Sequence, residues 1–417
     1  MNKIVIHEPI IEKSTIRYEY SIEGEWKAAF NELLSLSIEY SCDISNVPVS
    51  IAIIPLLTNI LPISWIYDAE ILVPVCDEDF YNSISDFKSG YKTMYPMIQF
   101  GGKMTVKTFE KNNNQSANGA AMFFSGGVDA FCTLIRHREE KPTLITLWGS
   151  DISLEDTAGW TTVNDHLVEV GRTFQVDYIT VKSGFRRFLK EGVLSQKVKN
   201  SGDGWWHGFQ HGIGIIGHAA PIMYVLGKKK VYIASSFTAA DKGKVTCASD
   251  PTIDNNVRFS GITVIHDGYE LTRLDKIKII TQFSRENAVK VPLRVCWESR
   301  GGSNCCHCEK CWRTILGIYA TRSNPDEFGF NYPSLKELGK EIKHNRAKLG
   351  IHKESRYKLI WTAIRNNYSI WTINPGLRWF YLSRFSELET GTIYGRMYSK
   401  VIRVIGKAKL KIKRIIK

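Results

Sequence analysis

Apolar and polar positions alternate differently in successive regions of the chain. Up to about residue 110, runs with apolar residues at every second position, such as KIVIHEPII and TIRYEYSI, predict strands. The stretch from Glu25 to about Tyr40 predicts a helix, and DEDFYNSISDFKSGYKTMY predicts another with an acidic first turn. From about Tyr319 onward the spacing is mainly helical, with many aromatic and basic residues.

The middle region alternates short apolar runs with longer segments of helical spacing. AAMFFSGG, TLITLWG, DYITVKS and KVYIASS predict strands, while VDAFCTLIRHREE, WTTVNDHLVEVGRTF and GFQHGIGIIGHAAPIMYVLG predict helices. This alternation is typical of βαβ units, so we predict an α/β fold built on a parallel sheet with helices on both faces. The carboxyl ends of such strands meet at one rim, where ligands bind.

The polar run EKNNNQSANGA, residues 110–120, predicts a linker because it has no apolar period. These patterns together predict three domains, namely an N-terminal α+β domain (1–115), a central α/β domain (116–318) and a helical C-terminal extension (319–417).

The most apolar window, Val49–Tyr67, is as long as a membrane span but contains Pro55, Asn59 and Pro62. We predict a strand, a turn and buried core there instead of a span. The 417 residues are 43% hydrophobic and 23% charged, which is typical of a globular protein. Nine cysteines without a recognisable secretory signal favour thiol or metal chemistry in a reducing compartment, so we predict a cytoplasmic protein.

The net charge of +13 is unevenly spread, because no acid follows Glu389. The last segment, RMYSKVIRVIGKAKLKIKRIIK, places isoleucine and valine near helical spacing and basic residues at most other positions. Such a helix either packs one face on the protein, lies on an anionic membrane surface as a peripheral attachment, or contacts nucleic-acid phosphates. The sequence leaves these three alternatives open.

A stronger chemical signal is FFSGGVDA, where a predicted strand gives way to a predicted helix. Gly126 and Gly127 let the backbone turn tightly and approach a ligand, and the following helix N-terminus attracts anions. Ser125 adds a hydroxyl donor, and Asp129 adds an acid suited to capping or to a metal held by phosphates. The segment therefore predicts an anion cradle that is neither a Walker A loop nor a G-x-G-x-x-G turn.

This motif resembles the SGGxDS loop of the ATP pyrophosphatase (PP-loop) superfamily, whose members split ATP into AMP and pyrophosphate and adenylate a substrate. The resemblance implies a PP-loop, HUP-like fold with ATP and Mg²⁺ as cofactors, and it implies that Ser125 and Asp129 act in catalysis. It further implies that the pyrophosphate end of ATP and its magnesium are held by five consecutive residues, Ser125, Gly126, Gly127, Val128 and Asp129. Ala130 departs from the pattern, which has Ser or Thr there, so one phosphate-side hydroxyl is missing.

A second signal is the cysteine-rich segment VCWESRGGSNCCHCEKCWRT. Its C-x2-C-x2-C spacing, with one more cysteine nine residues upstream, predicts a tetrahedral Zn²⁺ site. The predicted ligands are Cys296, Cys305, Cys308 and Cys311. Cys306 or His307 could replace one of them, and an iron–sulfur cluster is the competing metal group because C-x2-C-x2-C also opens the ferredoxin pattern.

The two motifs in this order resemble 7-cyano-7-deazaguanine synthase, an enzyme of queuosine biosynthesis in which four cysteines hold a structural zinc. The resemblance covers about residues 120–318. It implies a ligase that adenylates an acceptor carboxylate or amide, such as a 7-deazaguanine derivative, for attack by a nitrogen nucleophile. The alternatives are a sulfur-transfer enzyme of the same superfamily, acting in tRNA thiolation or sulfonucleotide reduction, and a non-catalytic ATP-binding pathway protein.

Further candidates lie near predicted strand ends or on predicted helices. His207, His211 and His218 fall near one face of a predicted helix, which we expect to line the rim, with a metal role as the alternative. We expect Cys132 to be buried and inert. The remaining candidates are strand-end residues that either face a ligand or form ordinary turns and solvated surface, namely Asp151, Arg186, Arg187, Ser235–Phe237 and Asp241.

Overall fold

The computed structural model describes residues 2–112, 118–296, 301–345 and 355–383, and only the backbone of Ser355 and Arg356. The chain divides into two compact units, Met1–Leu271 with Arg300–Gly302, and Thr272–Ser299 with Ser303–Lys417. The domain boundaries expected at residues 115 and 318 stay predictions.

The strands of the first unit form two sheets. They are β1 (Lys3–Ile6), β2 (Ile10–Glu12), β3 (Thr15–Arg17), β4 (Tyr20–Glu23), β5 (Ser37–Tyr40), β6 (Glu70–Asp77), β7 (Lys103–Glu110), β8 (Ala120–Phe123), β9 (Thr143–Trp148), β10 (Tyr178–Ser183), β11 (Lys230–Ala234), β12 (Arg258–Phe259) and β13 (Ile262–Asp267). One sheet has the order β4-β1-β6-β7, and the other has the order β12-β13-β11-β8-β9-β10-β5-β3-β2.

Five neighbouring strands of the larger sheet, β13, β11, β8, β9 and β10, are parallel. Numbered one to five in chain order and read across the sheet from β10 to β13, these strands lie in the order 3-2-1-4-5. This is a doubly wound arrangement. The chain first winds from β8 toward β10, then returns to β11 on the other side of β8, so the switch point lies between β8 and β11. The predicted α/β class with a parallel core is confirmed, although antiparallel strands make both sheets mixed.

Burial explains why β8 and most of β9, at the centre of the parallel strands, are continuous apolar runs. All four residues of β8 and the first four of β9 are buried, so both faces of the sheet are covered at these strands. Met122 of β8 lies in register with Leu144 of β9 and Tyr232 of β11. The loop that follows β8 is therefore held by strands on both sides.

The helices of the first unit include those predicted after residue 77 and after the strands β8 and β9. They are α1 (Val49–Ala52), α2 (Ile54–Ile66), α3 (Glu78–Met94), α4 (Val128–Arg136), α5 (Thr157–Phe174), α6 (Glu191–Lys197), α7 (His211–Ile216), α8 (Ala219–Val225) and α9 (Pro251–Asp254). Asp77 caps α3, since its side chain accepts a hydrogen bond from the N–H of Phe80 (2.9 Å). A π-helical turn, Trp206–Gln210, precedes α7.

Two predictions for the first 70 residues are wrong. Val49–Tyr67 forms the helices α1 and α2 instead of a strand and turn. Every residue of Ile54–Trp65 is buried, so the sequence shows no polar face that would indicate a helix. Glu25–Ala29 is a short 3₁₀ helix, and the end of the predicted helix is strand β5, where long-range pairing with β3 and β10 overrides local preference. No helix in the described ranges combines the length and apolar character that crossing a membrane requires.

The second unit is helical wherever it has regular secondary structure in the described ranges. Its α-helices are α10 (Arg273–Asn287), α11 (Glu309–Ala320), α12 (Leu335–Asn345), α13 (Ser355–Asn367) and α14 (Arg378–Tyr381). Thr272 and Asp275 form a capping box at the start of α10. The basic tail after Glu389 and residues 113–117 of the predicted linker lie outside the described residues, so the predictions for them stay open.

Candidate functional sites

The Ser125–Gly127 turn leaves the sheet at the carboxyl end of β8, beside the switch point. Gly126 has a φ of 76°, in the region that favours glycine, and Gly127 is the residue before α4. Ser125 is exposed, and its Oγ accepts a hydrogen bond from the N–H of Gly127 (3.4 Å). Asp129 lies in the first turn of α4. An exposed hydroxyl, a helix N-terminus and an acid at this edge fit a polyphosphate with its divalent cation.

Ala130 is 3% exposed, so its methyl group packs inside the protein at the position where the SGGxDS pattern has a hydroxyl. Cys132 is buried, as predicted.

Asp267 holds α4 in place from the end of β13, a role that the sequence did not suggest. Its carboxylate accepts hydrogen bonds from the Thr133 hydroxyl (2.7 Å) and lies 3.0 Å from His137 Nε2 and 3.5 Å from Arg136 Nη1. Burial acts to raise the pKa of Asp267, but the contacts with His137, Thr133 and Arg136 outweigh it and lower that pKa. The helix after the glycine turn is thereby fixed to the sheet.

The loop after β11 forms the other side of the switch point. Ser235 is buried, and its Oγ donates to the carbonyl of Phe237 (2.8 Å) while its N–H donates to the carbonyl of Asp267 (2.8 Å). Ser235 therefore forms a strand-end turn, whereas Ser236 is exposed at the rim.

The basic and acidic strand-end candidates mostly have protein partners. Arg186 contacts Glu191 (2.7 Å) and lies over the Trp206 ring (4.2 Å), and Arg187 pairs with Glu155 (2.6 Å). Asp241 closes a capping box with Thr238. Asp151 is exposed in the loop after β9. Their predicted contact with a ligand stays a prediction.

The three histidines predicted to share one helix face, His207, His211 and His218, do not do so. The π-helical turn changes the helical spacing between them. His218 is fully buried, and its ring nitrogens contact the Ser183 hydroxyl (2.8 Å) and the Gly214 carbonyl (2.8 Å). Burial lowers the pKa of His218 to about 4, so this ring is neutral at pH 7. It is a core residue and not a rim residue.

His207 instead joins an acid and a cysteine. Its Nδ1 lies 2.8 Å from Asp203 Oδ1, and the other oxygen of Asp203 accepts hydrogen bonds from the hydroxyls of Tyr95 (2.9 Å) and Thr246 (2.7 Å). The imidazole of His207 also contacts the sulfur of Cys247. The hydrogen bond to Asp203, helped by Cys247, raises the pKa of His207 to about 10.

Cys247 was not singled out by any motif, because its partners lie some forty positions upstream and only the fold brings them together. The cysteine is 5% exposed, and its sulfur interacts with the imidazoles of both His207 and His211. Burial acts to raise the pKa of Cys247, but these two imidazoles outweigh it and lower that pKa to about 7. The ring of Phe237, from the loop after β11, lies 5.9 Å from the ring of His207.

In the second unit, the four predicted metal ligands converge. The ligand atoms of Cys296, Cys305, Cys308 and Cys311 all lie within 4.8 Å of one another. The Sγ–Sγ distances are 3.8 Å for Cys296–Cys308 and 4.0 Å for Cys305–Cys311. A tetrahedron of sulfurs with metal–sulfur bonds of about 2.3 Å has edges of about 3.8 Å, so this cluster has the size of a Zn²⁺ site.

The side chains of Cys306 and His307, the two alternative ligands, point away from the cluster. The sulfur of Cys306 contacts the Asn304 carbonyl (3.9 Å), and His307 Nδ1 lies 2.8 Å from Glu341. Cys308 precedes α11 and Cys311 lies in its first turn, where the helix N-terminus favours thiolates.

Asn304 ties the cluster together, which the sequence also did not reveal. Its Oδ1 accepts hydrogen bonds from the N–H groups of Val295 (2.9 Å) and Cys296 (3.3 Å), and its Nδ2 donates to the carbonyls of Leu293 (2.7 Å) and Gly329 (2.8 Å). The upstream ligand is thus fixed beside the C-x2-C-x2-C turn.

Comparison of the chain with protein-family models, with curated proteins and with solved structures finds no match.

Proposed function

We propose that the protein is an ATP-dependent ligase that forms AMP and pyrophosphate and adenylates an acceptor carboxylate or amide, with a 7-deazaguanine carboxylate as the leading acceptor. The observation that carries this proposal is the glycine turn with exposed Ser125 at the carboxyl end of β8, beside the switch point of a doubly wound sheet. Ligands of such sheets bind at this crevice, and a helix N-terminus there favours phosphate.

The reaction forms and breaks bonds in two steps. An acceptor oxygen attacks the α-phosphorus of ATP, and pyrophosphate leaves with the electrons of the broken P–O bond. A nitrogen nucleophile then attacks the activated carbon, and AMP leaves. In the first step the turn orients the phosphates, with Ser125 donating a hydrogen bond and Asp129 assisting the magnesium that ATP carries.

The test is release of pyrophosphate and AMP from ATP and Mg²⁺ in the presence of ammonium and 7-carboxy-7-deazaguanine. We expect release that depends on the deazapurine and that falls about 100-fold or more in Asp129→Asn, because a metal-assisting charge is removed. The matched control is Asp165→Asn, which removes an exposed acid from the middle of α5.

Equal losses in the two variants would contradict a role for Asp129. ATP binding without release, in the presence of this acceptor, would discard the deazapurine and favour the non-catalytic alternative.

A further inference from the structure

The side chains of Asp203, His207 and Cys247 form a connected series at the carboxyl side of the sheet. Asp203 bonds His207 at Nδ1 (2.8 Å), which leaves Nε2 as the ring nitrogen available to the Cys247 sulfur. The chain on either side of this contact is also tied together, because the N–H of Ala248 donates to the carbonyl of His207 (2.8 Å). This is the order acid, imidazole and nucleophile that activated cysteines use.

The acid in this series is held firmly. Both oxygens of Asp203 have partners, one in His207 and the other in the hydroxyls of Tyr95 and Thr246. Burial acts to raise the pKa of Asp203, but the bonds from His207, Thr246 and Tyr95 outweigh it and lower that pKa. An ionised Asp203 then favours the imidazolium form of His207, and an imidazolium favours the thiolate of Cys247.

The surroundings of the sulfur suit attack on a carbonyl carbon. The N–H of Cys247 donates to the thioether sulfur of Met94 (3.3 Å), which is a weak acceptor, so little hydrogen-bond energy is lost if an oxyanion replaces that sulfur. His211 contacts the sulfur as well, and its Nδ1 is buried with no hydrogen-bond partner among the described residues. The His207 side chain is 46% exposed, so solvent reaches the series from its side.

The location connects this series to the ATP crevice. His207 packs against Phe237, in the loop after β11, and β11 is the strand next to β8 in the same unit. The loops after β8 and β11 border the same switch point. An acyl group activated at the Ser125–Gly127 turn, after β8, would therefore form next to β11. The loop after β11 carries Phe237, which contacts His207.

We propose that Cys247 is an acyl-carrying nucleophile, with His207 as its base partner and Asp203 as the positioning residue of His207. The thiolate attacks the carbonyl carbon of an activated acyl group, a C–S bond forms, and the C–O bond to the leaving group breaks. The nitrogen nucleophile then attacks the thioester carbon, the thiolate leaves, and the proton of the nucleophile passes to water. The origin of the activated acyl group as an acyl-adenylate rests on the proposed function.

The first experiment measures thiol reactivity without ATP, by iodoacetamide labelling of the whole chain at neutral pH and mass spectrometry of each cysteine peptide. Cys42 is the internal reference, because it is more exposed than Cys247 and burial raises its pKa. We expect Cys247 to react about tenfold faster than Cys42, and His207→Gln to remove that advantage. His7→Gln, at an exposed position, is the matched control and leaves the ratio unchanged.

The second experiment uses p-nitrophenyl acetate as an activated acyl donor. We expect a burst of p-nitrophenolate close to one equivalent per chain and an acetyl group on the Cys247 peptide that hydroxylamine removes. Cys247→Ser, which preserves the size of the side chain, abolishes the burst.

A Cys247 that labels no faster than Cys42, or a burst that survives in Cys247→Ser, overturns the proposal. Neither experiment needs ATP or the deazapurine. Failure here therefore leaves pyrophosphate release untouched, and absence of pyrophosphate release leaves the reactivity of Cys247 to be decided by these two measurements.

Discussion

Cys306 and Cys308 are two positions apart and both are buried, yet only Cys308 belongs to the metal-sized cluster. The backbone decides between them. Cys306 has a φ of 58°, in the left-handed region, and its carbonyl accepts a hydrogen bond from Trp312 Nε1 (2.6 Å). This conformation turns the sulfur of Cys306 toward the Asn304 carbonyl. Cys306 therefore shapes the tight turn, while Cys305 and Cys308 direct their sulfurs into the cluster.

The residue-scale prediction concerns metal content. We expect the purified protein to hold one equivalent of Zn²⁺, Cys308→Ser to lose most of it, and Cys306→Ser to keep it, because only the first removes a thiolate from the tetrahedron. Elemental analysis of the folded variants measures this, with circular dichroism as the check on folding. Loss of metal from both variants would contradict the assignment, and iron with visible absorbance would favour the iron–sulfur alternative.

At the scale of elements, α4 is important because its first turn contains Asp129, directly after the Ser125–Gly127 turn. The helix is anchored at its other end by Thr133, Arg136 and His137, all of which contact Asp267 at the end of β13. A strand end thereby sets the position of a helix whose N-terminus faces the proposed phosphate site. The direction of the helix is decided by a residue 130 to 134 positions further along the sequence than its three contacts.

Substituting Asp267 by Asn tests this anchor. At pH 7 we expect a loss of about 1–3 kcal/mol of unfolding free energy, since charge-assisted hydrogen bonds in a buried site are weakened. The folded pKa of Asp267 is lowered from its ordinary value of 3.8, so its stabilising contribution is complete above that pH and disappears as the pH falls through the folded pKa. Denaturant titrations at several pH values measure the difference between the two proteins.

The difference should be constant near neutrality and should shrink below about pH 4. Asp177→Asn, at an exposed position before β10, is the control and should change stability little. A difference that grows on acidification would contradict the anchoring role.

At the scale of the whole molecule, residues from the first predicted domain complete the large sheet. β5 pairs with β10, where Tyr40 lies opposite Val181 and Ile38 lies opposite Ser183. In α2, the Asn59 side chain accepts a hydrogen bond from Gln210 (2.8 Å) and donates to the Gly214 carbonyl (3.3 Å). The core of the first unit is therefore shared between sequence regions before and after the predicted linker.

This sharing predicts the outcome of a truncation. A chain of residues 116–417 would expose the edge of β10 and leave the buried amide of Gln210 without Asn59. We expect it to aggregate or to lack cooperative unfolding, as measured by sedimentation and by thermal circular dichroism beside the full chain. Cooperative unfolding of a monomeric 116–417 chain would instead support a domain boundary at 115.

The sequence by itself determined the local features of this protein. The apolar runs of β8 and β9 and the glycines after β8 follow from burial on both faces and from backbone freedom, which are properties of short segments. The spacing of the four cysteines predicted their convergence, because three of them lie in one tight turn and the start of one helix, whereas the backbone decided that Cys306 stays outside the cluster.

The tertiary structure alone decided what depends on distant contacts. The helices of Val49–Tyr67 were hidden in the sequence because burial of all of Ile54–Trp65 leaves no polar face, and β5 became a strand because β3 and β10 offered partners. The same holds for Asp267 at α4, and for Cys247 between His207 and His211. No local pattern encodes such contacts, since they arise from packing between segments that are far apart in the chain.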